Sequence, residues 1–175
     1  MKIIKSGFIS TVILIYSILL SHHSYAHVMV AQHGTLNILD NGVFMVLSLP
    51  ISAFEGIDDD NDGKLSNTEF SRHRKAISSL VHKKVVLKDS NGKLVLEDMM
   101  LSPVISHQSP KSPVSQLIVM GRYRLVDPLS PLEFQVELFG IEATEQLLEI
   151  TATRKSDQKK KLVKLTTKDS SVSIF

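Results

Sequence analysis

Between Asp58 and Glu69 the chain places oxygen-bearing side chains at nearly alternate positions: Asp58, Asp60, Asp62, Ser66 and Glu69. Hard divalent cations take oxygen ligands, and calcium gathers about six to eight of them in a loose shell. As a twelve-residue loop wraps such an ion, the carboxylates of Asp58, Asp60 and Asp62 turn inward in succession. Gly63 falls where the chain must turn sharply, and Lys64 then offers a backbone carbonyl while its ammonium points away. Ser66 either touches the ion or holds a water against it, and Glu69 closes the shell with both carboxylate oxygens. Leu65, set among these ligands, is placed to anchor the loop in an apolar core. The expected ligands are therefore Asp58, Asp60, Asp62, Lys64, Ser66 and Glu69, and the expected cofactor is Ca2+. A merely solvated acidic turn would not need the glycine, the apolar anchor and the terminal glutamate in register. Asp89-Ser90-Asn91-Gly92-Lys93 shares the beginning of the pattern but lacks its downstream ligands, and reads as a hairpin turn.

This spacing resembles the EF-hand family, with the likeness confined to about Pro50 to Lys83. The resemblance implies a helix on each side of the loop, with Phe54 and Phe70 as packing residues. A broader layout is similar to the extracytoplasmic domain of HupE/UreJ-type hydrogenase- and urease-accessory membrane proteins. It consists of an export segment ending in Ala-His, two strands, the acidic loop and then more strands. That likeness implies an architecture and not a transport activity.

The elements that must position the loop are mostly strands. His27 to Leu39 and Val43 to Leu49 read as strands joined by a turn at Asp40-Asn41-Gly42, since Asn-Gly tolerates positive φ. Pro50 stops the second strand, and Ile51 to Ile57 has the length of a short helix. Asn67 to Lys83 reads as a longer helix with Phe70, Ala76, Ile77, Leu80 and Val81 to one side and Arg72, Arg74, Lys75 and Lys83 toward water. Strands then return at Val85 to Leu87 and Lys93 to Leu96, across a second Asn-Gly turn. Three prolines make Ser102 to Ser115 a loop. Further strands are expected over Gln116 to Val126, Leu132 to Phe139, Gln146 to Thr153 and Leu162 to Thr167, with Lys155 to Lys161 a charged turn. The expected fold is mainly β with an α insertion: an antiparallel sandwich or barrel carrying one helix–loop–helix.

The chain has 175 residues and begins as exported proteins do. Lys2 and Lys5 precede the apolar run Gly7 to Leu20, and Ser24-Tyr25-Ala26 supplies the small residues of a cleavage site. The run falls short of the roughly 20 residues a spanning helix needs, so cleavage after Ala26 is expected to leave no membrane span. A periplasmic or secreted protein beginning at His27, with one β-rich domain over 27–175, follows from this. Without cysteine it has neither disulfides nor thiolate metal sites. Loss of Lys2 and Lys5 leaves basic and acidic residues in balance at 18 each. With no basic stripe and no tryptophan, a nucleic-acid partner is not expected.

The leading function is an exported calcium-binding module with a structural, interaction or accessory role, the last two adding a protein partner that the sequence does not identify. A second class is a copper-handling protein, in which the amine and imidazole of a mature N-terminal His27 chelate metal, completed by His33, His82 or His107. The plainer reading is a histidine that merely follows a cleavage site. His73, in the basic helix, reads as solvated. An enzyme is the third class, yet no nucleophile elbow or other catalytic signature occurs. Glu133, Glu137, Glu142, Glu145 and Glu149 read as a solvated strand face.

Overall fold

Alternation of large apolar residues with polar ones makes each strand bury one face, and two such faces close on each other. In the computed structural model, which describes residues 31–62, 65–104 and 116–175, ten strands form two sheets with one α-helix among them. The export segment 1–26, His27, His107 and the loop over residues 105–115 lie outside the described residues.

Strands β1 (His33–Leu39), β2 (Gly42–Pro50), β5 (Leu96–Val104), β6 (Gln116–Arg124), β8 (Leu147–Arg154) and β9 (Lys159–Thr166) build the larger sheet. Their order is β5-β6-β2-β1-β8-β9. Strands β3 (Val85–Asp89), β4 (Gly92–Lys93), β7 (Glu133–Val136) and β10 (Ser171–Ser173) form a smaller one, ordered β10-β7-β3-β4. Leu36, Met45, Leu47, Val119 and Ile150 of the first sheet share one buried core with Leu87, Phe134 and Val136 of the second. The sheets do not close into a barrel. Pairing is antiparallel throughout except between β1 and β8, which run parallel in the register Leu36 to Ala152. This corrects the expectation of a wholly antiparallel sheet. Such a pair needs a long crossover connection, and here nearly the whole domain serves as one.

The helix α1 (Asn67–Lys84) runs directly into β3 and buries Ile77 and Val81, with Phe70 and Leu80 packed against the core. Ala76, expected on the same side, is exposed. The short helix expected before the loop is not formed. Ile51–Ala53 makes one 3-10 turn, after which the chain bends through Gly56 at φ 72°. Pro50 is still paired in β2, opposite Gln116, so little chain remains in which to nucleate a helix. The loop is thus entered from a strand and a 3-10 turn and left by an α-helix, so the expected helix–loop–helix is not formed: only the helix after the loop is present among the described residues. Phe54 and Ile57 are nevertheless buried, and they fix the entry to the loop.

Three further expectations change. Strand β5 extends through Pro103 into the stretch expected to be loop, as the outermost strand of its sheet tolerates a residue without an N–H. The turn after β8 is confined to 155–158, with Gln158 at φ 55°, and the lysines from Lys159 onward belong to β9. A short last strand, β10, pairs with β7 and carries the buried Ile174 behind it.

Candidate metal centre

The loop is held at both ends by apolar side chains. Ile57 before it is 2% exposed and Leu65 within it 1%, so the intervening acidic stretch is looped out from a fixed base. Asn61 adopts a left-handed conformation, φ 57°, which its short amide tolerates. The Asp62 amide then donates to Oδ1 of both Asp58 and Asp60, at 3.2 Å each. This draws the two carboxylates to one side of the backbone.

Glu69 is brought to them by the start of α1. Ser66 caps the helix: its Oγ accepts from the Glu69 amide at 3.2 Å, while Glu69 Oε2 accepts from the Ser66 amide at 2.8 Å. The other oxygen, Oε1, accepts from the Asp59 amide at 2.8 Å, across the loop. Glu69 is buried, and hydrogen bonding with the Ser66 side chain first, then with the Ser66 and Asp59 amides, holds its carboxyl down at about 2. It is therefore a carboxylate at any ordinary pH, positioned before any ion arrives.

Among the described residues, one group of acidic or imidazole side chains is arranged to hold a metal: Asp58, Asp60 and Glu69. One oxygen of each lies within 4.8 Å of the others. A calcium ion can bridge that spacing, because oxygens on opposite sides of it stand about 4.6–5.2 Å apart. The donor set is oxygen alone, which suits a hard cation and not copper. Repulsion is visible in the same cluster. The Asp62 amide pulls the Asp60 carboxyl down, but partial desolvation, the Asp62 charge and the Asp58 and Glu69 carboxylates outweigh it and leave it raised. A divalent cation would relieve that crowding.

The remaining expected ligands fall differently. Asp62 joins through its backbone amide and not, in this conformation, through its carboxylate. Ser66 is engaged as the helix cap. Lys64 lies outside the described residues, as does Gly63. Of the copper candidates, His33 donates from Nδ1 to the Ala31 carbonyl at 2.7 Å and has Nε2 3.3 Å from a Glu149 carboxylate oxygen, while His82 sits exposed at the end of α1; neither belongs to the carboxylate group. Glu133, Glu137 and Glu149 pair with Lys88, Lys84 and Lys164 respectively.

Two residues read as facing water prove to brace the loop. Asp59 turns away from the ligand cluster and pairs with Arg72 and with His73 Nε2, the latter at 2.7 Å. The His73 hydrogen bond, with lesser help from Arg72, lowers the Asp59 carboxyl against its partial desolvation. Sequence spacing gave no sign of this pair, since the contact crosses from loop to helix. The Ser66–Glu69 cap did have one, in Ser-x-x-Glu ahead of a helix. Compared with known proteins, the chain matches no family model and no curated sequence.

Proposed function

We propose that this is an exported calcium-binding protein that holds one ion in the loop Asp58 to Glu69, with a structural role for the ion. The observation that carries the reading is the convergence of Asp58, Asp60 and Glu69 from a twelve-residue sequence whose spacing already specified a calcium shell. Asp62, the Lys64 carbonyl and Ser66, directly or through water, complete the shell when the ion binds. The chain's own part is to pre-place Glu69 through two backbone amides and to brace the loop through Asp59. Export would put the site where calcium is abundant, and an interaction or accessory role would act through a protein partner. Metal analysis of the purified protein after dialysis against mixed calcium, magnesium, copper and zinc tests this. One calcium per chain is expected, and copper or zinc in its place would sink the proposal.

A further inference from the structure

Three connections leave the larger sheet from the same end. β1 and β2 meet at Asp40-Asn41, β6 stops at Arg124 opposite Gly42, and β8 stops at Arg154 beside Ile38. The chain after β6 and after β8 is tied to that hairpin. The Leu125 amide donates to the Asn41 carbonyl at 2.8 Å, and the Lys155 amide to the Ile38 carbonyl at 3.1 Å. A cleft of about 500 Å³ lies between them, lined by Ile38, Asp40, Asn41, Pro128, Lys155 and Ser156. The loop over 125–132 and the turn over 155–158 therefore stand side by side.

The loop supplies apolar surface. It is fastened at its two ends by buried Leu125 and Leu132. Asp127 sets its middle: the carboxylate accepts from the Leu129 amide at 2.9 Å, and the carbonyl from the Ser130 amide at 3.2 Å. The loop is thus ordered, and what it holds outward is apolar, with Val126 83% and Leu129 59% exposed. The turn and the start of β9 supply charge. From Arg154 to Lys168 the chain carries seven basic residues and one acidic residue, Asp157, although basic and acidic residues balance from His27 onward. Arg154 and Lys159 take up that one carboxylate. Lys155, Lys160 and Lys161 are exposed and pair with no carboxylate among the described residues, Lys161 reaching only the Ser173 carbonyl. Of the other acids beside the cleft, Asp127 faces its own loop and Asp40 alone is left to oppose the three lysines.

Apolar tips next to unpaired lysines suit one kind of surface. Apolar side chains gain by entering the boundary between headgroups and acyl chains, and lysines are drawn to anionic headgroups. A soluble polyanion would engage the lysines but offer Val126 and Leu129 nothing to enter. We infer that this end of the sandwich docks on anionic phospholipid bilayers, with Val126 and Leu129 in the interface and Lys155, Lys160 and Lys161 against the headgroup phosphates. The contact uses none of the expected calcium ligands, so it stands apart from the acidic loop.

Flotation of the protein recovered after export tests this, with vesicles of phosphatidylcholine alone or with about one-third phosphatidylglycerol. Binding is expected to the anionic vesicles only, and it should persist in a calcium chelator. Lys155→Gln and Lys160→Gln should each weaken it about fivefold, the attraction of one lysine to an anionic surface. The chain has no tryptophan, so a single one reports insertion. Emission from Leu129→Trp should shift to the blue on anionic vesicles, whereas Ile141→Trp, at a position 76% exposed beyond the far end of β7, should not shift. Absence of binding, equal binding to neutral vesicles, loss of binding in chelator, or lysine variants that bind unchanged would each overturn the inference. Lysine-dependent binding with no shift in Leu129→Trp would overturn it too, leaving a contact of charge alone.

Discussion

Single side chains carry two different duties in the loop. Asp58, Asp60 and Glu69 point together, whereas Asp59, equally acidic, is turned outward by Arg72 and His73. Alternation along the sequence sets Asp59 apart from Asp58 and Asp60, because neighbours on a wrapped loop face opposite ways, but it also turns the Asp62 carboxylate inward, and that carboxylate stands outside the group. It could not name the residues that hold Asp59, which lie more than ten positions away in α1. Asp59→Ala should therefore keep one calcium per chain while lowering the melting temperature, as read by metal analysis and thermal denaturation. A second carboxylate serves the fold alone. Asp157 accepts two hydrogen bonds from the buried Arg154, whose guanidinium also lies 4.6 Å from the centre of the Phe175 ring. Arg154 first, then Lys159, hold the Asp157 carboxyl at about 2, below its ordinary 3.8. A depressed acid stabilises the folded state fully above its unfolded value, and that share is lost as pH falls through about 2. Asp157→Asn should thus lower the melting temperature at pH 7 and flatten the acid-side loss between about pH 4 and pH 2. An unchanged acid limb in the variant would show that the pair is not what titrates.

The elements legible in the sequence were those whose signals are local. The α1 helix, the β1–β2 hairpin and the turn at Asn91-Gly92 follow from periodicity and turn chemistry. Even so, the positive φ of the first turn falls on Asp40, at 48°, one residue before the Asn-Gly pair. Strand β5 was harder to see because Asp98, at φ 50°, breaks the alternation at a bulge. Strand β10 is three residues long with serine at both ends, too little for a periodic signal. The parallel pairing of β1 with β8 joins segments more than a hundred residues apart and has no local signature at all. Its crowding is testable. A methyl group on Gly34, in β1 between β2 and β8, would stand 2.5 Å from Ile150 Cδ1 and 2.6 Å from Leu47 Cδ2. Gly34→Ala should cost about 1–3 kcal/mol in denaturant unfolding, the usual penalty of an overfilled core. The loop's own hinge on the helix is weaker. Ser66→Ala, by removing the cap, should cost about 1 kcal/mol, the magnitude of an N-cap loss.

Across the whole molecule, the loop is spliced between β2 and the helix that feeds β3, and so between the two sheets. An ion there fastens a connection. It has no long incoming helix to swing, and α1 contains no methionine to present as a groove. Calcium is therefore expected to stiffen the protein and not to switch it. Extracellular calcium modules bind at about 10⁻⁴ to 10⁻³ M. A tenfold excess over such a constant adds about 1.4 kcal/mol, or roughly 3–6 °C in melting temperature for a domain of this size. Solution spectra with and without calcium should differ near the loop and leave the strands unmoved. The account rests most directly on a calorimetric calcium titration of the protein beside Glu69→Gln. It predicts a single site in the range of about 10⁻⁴ to 10⁻³ M that weakens at least about tenfold when the closing carboxylate is lost. No heat of binding up to about ten times that range, or equal affinity in Glu69→Gln, would contradict it.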